Sequence, residues 1–179
     1  MKRFLRGAWG CCLALALTSC STQRPAPGPA PAVRPPLPPQ PPRAGAPAAF
    51  VATAASIDLY VVRASEMALA RSSAPRIRTL AEQLREGHRG LAAQLSIAGR
   101  RLDVLPTARL LPREEQRLAW LDGHARFDDA FFRQMMLTHE QSLDLHAAFA
   151  ARGSSPTLRP VAANGERVER AHLALLGRR

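Results

Sequence analysis

The stretch ARFDDAFFRQMMLTHEQSLDLHAAFAAR, residues 125–152, decides the fold class of this chain. Large apolar residues and histidines recur in it every three or four positions, which places them on one face of an α-helix. Gly153 follows the stretch directly and is typical of the end of a helix. The pattern therefore predicts a long helix whose buried face consists of Phe127, Phe131, Met135, His139, Leu143 and His146.

The same spacing predicts three further long helices, over residues 48–72, over residues 74–101 and in a last segment that starts at Ser155-Pro156. Pro75 suits the first turn of the second helix. No stretch alternates apolar and polar residues as a strand would. The predicted buried faces are Phe50, Ala54, Ile57, Val61, Ala64 and Ala68 in the first helix, Ile77, Leu80, Leu84, His88, Leu91 and Leu95 in the second, and Leu158, Val161, Gly165, Val168, His172 and Leu175 in the last.

The connection between the second and third long helices contains a short helix of its own. It opens at Pro112, carries Glu114 and Glu115 in its first turn, where acidic residues match the helix dipole, and ends near Gly123. Two helical hairpins joined by one longer connection make a four-helix bundle. The fold class is therefore predicted to be all-α, a four-helix bundle with a short extra helix between helices two and three.

The N-terminus predicts export. Lys2, Arg3 and Arg6 precede the uncharged stretch Ala8–Leu17, and together they form the basic and apolar regions of a signal peptide over residues 1–19. About ten apolar residues are too few to cross a bilayer, which takes roughly 20, and no later segment is expected to be apolar for that long.

The signal peptide ends in Leu17-Thr18-Ser19-Cys20, which resembles the lipobox of bacterial lipoproteins. The resemblance implies that Cys20 is lipidated, and two fatty acyl chains such as palmitate hold a protein stably at a membrane. In such lipoproteins Asp after the cysteine tends to mean retention in the inner membrane, whereas Ser21 follows here, so an outer-membrane anchor facing the periplasm is predicted. The alternative is an ordinary secretory signal beside a chance cysteine.

Residues 20–49 predict a tether. Eleven of the 16 prolines lie between Pro25 and Pro47, and the segment offers almost nothing to bury. Such a composition is typical of an extended spacer, the alternative being a ligand for a proline-binding module. The predicted organisation is therefore residues 1–19 as signal peptide, residues 20–49 as lipidated cysteine and linker, and residues 50–179 as the bundle domain.

Composition excludes several functions for the domain. All three cysteines lie at or before Cys20, which excludes disulfides, Cys-ligated metal sites and a thiol nucleophile. The net charge of +11 falls to +5 for the domain once the six basic residues of the signal peptide and linker are set aside, and aromatic residues make up only 5% of the chain, so no nucleic-acid surface is expected. Hydrolase, phosphate-loop and dinucleotide motifs are missing from the sequence, so no enzyme activity is predicted.

Three histidines fall on the predicted buried faces of three different long helices. Counting residues from the turns places His88, His139 and His172 near one layer of the bundle. Neutral imidazole suits transition metals such as Fe, Cu or Zn, so the three side chains are candidate metal ligands. Asp58, Glu66 and Glu140 are candidate supporting residues.

Two interpretations of these histidines stay open. Di-iron bundles repeat a Glu-x-x-His motif on two helices, whereas this chain has it once, at Glu169–His172. The alternative to a metal site is that each histidine is a core residue bonded to a carboxylate or to the backbone.

Several short motifs in the domain resemble a known bacterial family. They are Asp58-Leu59-Tyr60 with Ser65–Ala70, Arg78–Ala81 leading to His88, Phe127–Phe131, His139–Leu143 and His172-Leu173. In this order they resemble the domain of unknown function 4142 family, described as predicted outer membrane proteins of ferritin-like fold. The resemblance covers about residues 50–176 and implies a ferritin-like bundle that keeps the three histidines. The chain departs from the family pattern at Val61 and Gly87, where acidic residues are usual, and at Arg167, where Pro is usual.

The sequence therefore predicts an outer-membrane-anchored periplasmic lipoprotein whose bundle has a binding or envelope-structural role. Its predicted partner is the membrane, through the lipid. The alternative function is a metal-binding or redox-protective protein that uses His88, His139 and His172.

Overall fold

A computed structural model describes residues 46–177, and these residues form five helices and no strand. The all-α prediction is confirmed, and so is the short helix in the long connection. The helices are α1 Pro47–Arg71, α2 Pro75–Arg100, α3 Pro112–Asp122, α4 Phe127–Arg152 and α5 Arg159–Gly177.

The predicted signal peptide, Cys20 and most of the predicted linker lie outside the described residues. The predicted linker and the predicted first helix overlap at residues 48 and 49, and the structure places these residues, together with Pro47, in the first turn of α1. Pro47, Pro75 and Pro112 each open a helix, since proline has the right φ angle there and the amide hydrogen it lacks would have no partner. The last helix begins later than expected, at Arg159, after a turn in which the carbonyl of Ser155 accepts the amide of Leu158 at 3.2 Å.

The four long helices pack as a closed ring of neighbours. α1 contacts α2 and α4, and α5 contacts the same two helices from the other side. The short helix α3 lies against α1 and α4. Two hydrogen bonds with Ser56 of α1 hold it in place. The hydroxyl of Ser56 donates to Oε2 of Glu114 at 3.2 Å and accepts a hydrogen bond from the amide of Leu111 at 2.8 Å.

The core consists of two apolar clusters, each built from all four long helices. One contains Tyr60, Leu84, Phe131 and Leu176. The other contains Phe50, Leu95, Phe149 and Ala162. Each long helix carries buried polar residues near the place where one cluster gives way to the other. They are Asp58 on α1, His88 on α2, His139 on α4, and Glu169 and His172 on α5.

Helix α1 is also long and apolar enough to cross a membrane by length and composition, with a mean hydropathy of 1.3 over 18 residues, contrary to the expectation for segments after the signal peptide. In the fold it is a core helix, because 61% of that window is buried inside the protein. Its predicted buried face is confirmed for all six residues, and Asp58 lies on the same helix with a buried histidine partner.

Candidate metal centre

Three helices supply a cluster of four potential metal ligands at the middle of the domain. His88 comes from α2 and His139 from α4, while α5 contributes Glu169 and His172, which share a face because they are three positions apart. One ligand atom from each residue lies within 4.8 Å of every other. All four side chains are buried, and His172, the most exposed, is only 6% accessible.

The ring nitrogens of His88 and His139 are oriented by bonds on their outer sides. Nδ1 of His139 lies 2.7 Å from the carbonyl oxygen of Met135, which can only accept, so this nitrogen donates and Nε2 keeps its lone pair. Nδ1 of His88 lies 2.8 Å from Oδ1 of Asp58. A carboxylate behind a histidine fixes the ring orientation and raises the basicity of the other nitrogen. Both Nε2 atoms therefore face the interior of the cluster.

The separation of these two Nε2 atoms is 3.2 Å. Two lone pairs at this distance repel each other unless a proton or a cation lies between them. A tetrahedral ion with metal–nitrogen bonds of ~2.0 Å separates its ligands by about 3.3 Å, so the two imidazoles are spaced as neighbouring ligands of one ion.

The other two ligands leave polar atoms without partners. Oε1 of Glu169 accepts a hydrogen bond from Ser142 at 2.7 Å, but Oε2 accepts none and lies 3.9 Å from Nε2 of His139. Nδ1 of His172 is also buried without a hydrogen-bond partner, and its ring centroid lies 5.4 Å from that of His88 and 5.2 Å from that of His139. A buried polar atom without a partner costs about 1–3 kcal/mol. One cation at the centre would satisfy both atoms.

Burial of the cluster makes a charged carboxylate or a charged imidazole unfavourable when no ion compensates its charge. Burial raises the pKa of Glu169 to about 8, and the hydrogen bond from Ser142 opposes this shift. Burial lowers the pKa of His88 to about 3 and that of His172 to about 4, and the pKa of His139 falls well below its ordinary value for the same reason. Burial also raises the pKa of Asp58. Neutral imidazoles are the form that binds a metal, and a divalent ion would supply the positive charge that a buried carboxylate lacks.

A glycine on α2 makes room for His172. A Cβ atom at position 87 would lie 2.5 Å from Nε2 of His172, too close for any real contact. The imidazole of His172 therefore lies directly against the backbone of α2, and Gly87 is the residue that permits this approach.

The structure brings together some of the sequence-predicted residues and separates others. His88, His139 and His172 meet as expected, and Asp58 supports His88. Glu66 and Glu140 do not join them, so these two expectations are corrected. Glu66 is half-exposed and pairs with Arg89 at 3.0 Å. Glu140 points to solvent, since adjacent residues of a helix project about 100° apart and His139 occupies the buried direction.

Glu169 is the potential ligand that is absent from the candidates predicted by the sequence. On α5 the predicted Gly165 and His172 are buried, but the predicted Val161, Val168 and Leu175 are only half-buried. Their neighbours Ala162, Glu169 and Leu176 are buried instead. The prediction places Val168 in the core in preference to its charged neighbour Glu169. The Glu-x-x-His spacing at Glu169–His172 was the available signal, because it places a carboxylate beside a histidine already assigned to the buried face.

Fold and site together define an all-α domain with a buried cluster of three histidines and one glutamate. The chain belongs to a family described as a domain of unknown function (DUF4142), whose sequence model matches residues 32–177. Comparison with curated proteins finds no match, and comparison with solved structures finds none either.

Proposed function

We propose that this protein binds one transition-metal ion in the core of its helical bundle, through His88, His139, Glu169 and His172. Of the two functional hypotheses raised by the sequence, the geometry of the cluster favours the metal-binding one over a purely structural role. The observation that carries the proposal is that four buried ligand atoms converge within 4.8 Å. In a purely structural cluster every buried polar atom would have a protein partner, whereas Nδ1 of His172 and Oε2 of Glu169 have none.

The donor set selects the class of metal. Three imidazoles and one carboxylate suit Fe, Cu or Zn, whereas Mg and Ca prefer oxygen ligands. The four ligands come from the protein and are enclosed, which resembles a structural or storage site more than a catalytic site that keeps an open position. We therefore propose a binding role without catalysis.

Elemental analysis of the purified protein tests this function. We expect one equivalent of Fe, Cu or Zn per chain, and its loss in Glu169→Gln, which keeps the shape of the side chain and an acceptor for Ser142. Glu114→Gln is the matched control, because Glu114 is also buried and also accepts from a serine, Ser56, but lies outside the cluster. Metal-free wild-type protein that takes up none of the three ions would overturn the proposal.

We further propose that the bundle is ferritin-like and is held in the outer membrane, facing the periplasm, by lipid on Cys20. The support is the lipobox-like stretch Leu17–Cys20 with Ser21 after it. Replacement Cys20→Ala should abolish incorporation of labelled fatty acid and recovery with membranes. Equal labelling of the variant would contradict the anchor.

A further inference from the structure

The enclosed ligands raise the question of how an ion reaches them. His88, His139 and Glu169 have no accessible surface, and His172 is only 6% exposed. An ion must therefore pass through a gap in the helical ring, and it must first lose part of its water shell against protein ligands.

One crevice on the surface leads to a residue that touches the cluster. It has a volume of about 340 Å³ and lies between α1, α2 and the loop that follows α2. Its lining is mostly apolar and small, with Ala55 on α1, Ala92 on α2 and Ala108 in the loop. Its polar lining includes Asp58, whose Oδ1 is bonded to Nδ1 of His88.

The second carboxylate oxygen of Asp58 has no hydrogen-bond partner, although it is buried. The whole residue is only 1% exposed. A buried carboxylate oxygen without a donor attracts a metal ion or a proton, because no protein group compensates its desolvation. Asp58 thus lines the crevice on one side and is bonded to His88 on the other, and its free oxygen is available as a ligand.

The crevice also has a charged residue in its lining. Arg89 is half-exposed, and its guanidinium is paired with Glu66 at 3.0 Å. The pair leaves little net charge at this place. Removal of the Glu66 carboxylate would leave the positive charge of Arg89 uncompensated. This charge would repel a metal ion that enters the crevice.

From these observations we infer that the crevice is the access route for the metal ion, and that Oδ2 of Asp58 binds the ion transiently on its way to the cluster. The inference rests on the proposed metal-binding function. It assigns to the Arg89–Glu66 pair the role of setting the charge along this route, so that the pair affects the rate of uptake and not the final affinity.

The first test is the rate of Co²⁺ uptake by metal-free full-length protein, followed by the visible absorbance of the bound ion. Glu66→Gln frees the charge of Arg89 and should slow uptake about fivefold, as expected for one unit charge about 8 Å from a divalent ion in water, while Arg89→Gln should not slow it. Added salt should reduce the effect of Glu66→Gln. Equilibrium affinity should stay unchanged in both variants.

Glu166→Gln and Arg170→Gln are the charge controls, because these residues form a similar pair, at 2.7 Å, on α5, which does not line the crevice. A steric test complements them. Ala92→Leu fills the crevice and should slow uptake, whereas Ala93→Leu, on the exposed neighbouring position, should not.

Equal uptake rates in the wild type, Glu66→Gln and Ala92→Leu would overturn the route while leaving metal binding in place. Slowing by Glu166→Gln as large as that by Glu66→Gln would also overturn it, since the effect would then come from net charge alone. Failure of the wild type to bind any Co²⁺, Fe, Cu or Zn would instead overturn the proposed function, and the route with it.

Discussion

At the scale of single residues, each of the first two histidines depends on one outer partner for its orientation. His139 uses a backbone carbonyl that no substitution removes, whereas His88 uses the side chain of Asp58. In the proposed metal site, the carboxylate of Asp58 would therefore act on the ion through His88, as a positioning residue, and not as one of the four ligands.

Replacement of Asp58 by Asn should weaken metal binding without abolishing it. The amide lacks the negative charge that favours a proton on Nδ1 and a lone pair on Nε2 of His88, and loss of such a partner typically costs 10–100-fold in affinity. Competition with a chromophoric chelator measures the affinity, and elemental analysis measures the stoichiometry, which should stay at one ion per chain.

Glu66→Gln is the control for this experiment, because it removes the same charge from the same helix at a residue outside the cluster. Wild-type affinity in Asp58→Asn would contradict a positioning role for the carboxylate.

At the scale of helices, α2 offers a comparison of two glycines that differ only in what they face. Gly87 lies against the imidazole of His172, whereas a Cβ atom at Gly90 would meet nothing within 4 Å. Alanine is better than glycine inside a helix by roughly 0.5–1 kcal/mol, so Gly90→Ala should stabilise the protein by about that amount.

Gly87→Ala should instead destabilise it by about 1–3 kcal/mol, because the new methyl group forces the ring of His172 away from α2. Metal affinity should fall in Gly87→Ala and stay unchanged in Gly90→Ala. Chemical denaturation and chelator competition measure the two effects. Equal stability of the two variants would show that His172 does not need the space at position 87.

The order and extent of the helices could be predicted from the sequence, because proline, glycine and three-four spacing act locally. Pro75 and Pro112 mark helix starts, and the face of α1 was predicted without error. The rotation of α5 could not be predicted. Val168 and Glu169 are adjacent, and Glu169 is buried only because Ser142 of another helix donates to it and three histidines surround it. Partners on other helices leave no apolar pattern in the sequence, so the Glu-x-x-His spacing at Glu169–His172 is the one local signal.

The same limit applies to the charged residues near the cluster. Asp58 and Glu66 are both acidic residues of α1, eight positions apart. The first meets a histidine and the second meets Arg89 on the surface. Both were candidate supporting residues for the histidines, and the sequence has no feature that turns Glu66 outward.

At the scale of the whole molecule, burial of histidines couples stability to pH. His146 packs edge-on against Phe50, both of its ring nitrogens lack partners, and burial lowers its pKa to about 4. The charge of His88 also lowers this pKa, and Glu166 raises it by a smaller effect.

An unfolded histidine takes up its proton near pH 6.5, so the unfolded state binds more protons than the fold between pH 6.5 and 4. Stability should therefore be complete above pH 6.5 and fall as the pH drops towards 4, by about 3 kcal/mol from this residue.

The variant His146→Leu removes this contribution, so its unfolding free energy should depend less steeply on pH than that of the wild type. The other buried histidines remain in both proteins, and subtraction of the two pH profiles isolates His146. Identical profiles would mean that His146 is protonated as readily in the fold as in the unfolded chain.

The polar layer between the two apolar clusters joins all four long helices, so an ion bound there should stabilise the whole domain and not one segment. Binding of the ion to the folded state alone should raise the free energy of unfolding by about 2.7 kcal/mol when free metal is at a hundredfold excess over the dissociation constant. For a domain of this size that corresponds to a rise of about 10 °C in Tm. Calorimetry with and without Zn²⁺ measures the rise, and hydrogen exchange should show slower exchange in α1, α2, α4 and α5 together.

Glu169→Gln should lose this stabilisation and Glu114→Gln should keep it, because only the first removes a ligand. The metal-free Glu169→Gln protein should itself be at least as stable as the metal-free wild type, since an amide is neutral where burial makes a carboxylate unfavourable. The ligand thus costs stability in the absence of the ion and returns it on binding, which distinguishes a metal site from a structural cluster. An equal rise in Tm for both variants would place the stabilising ion elsewhere in the protein.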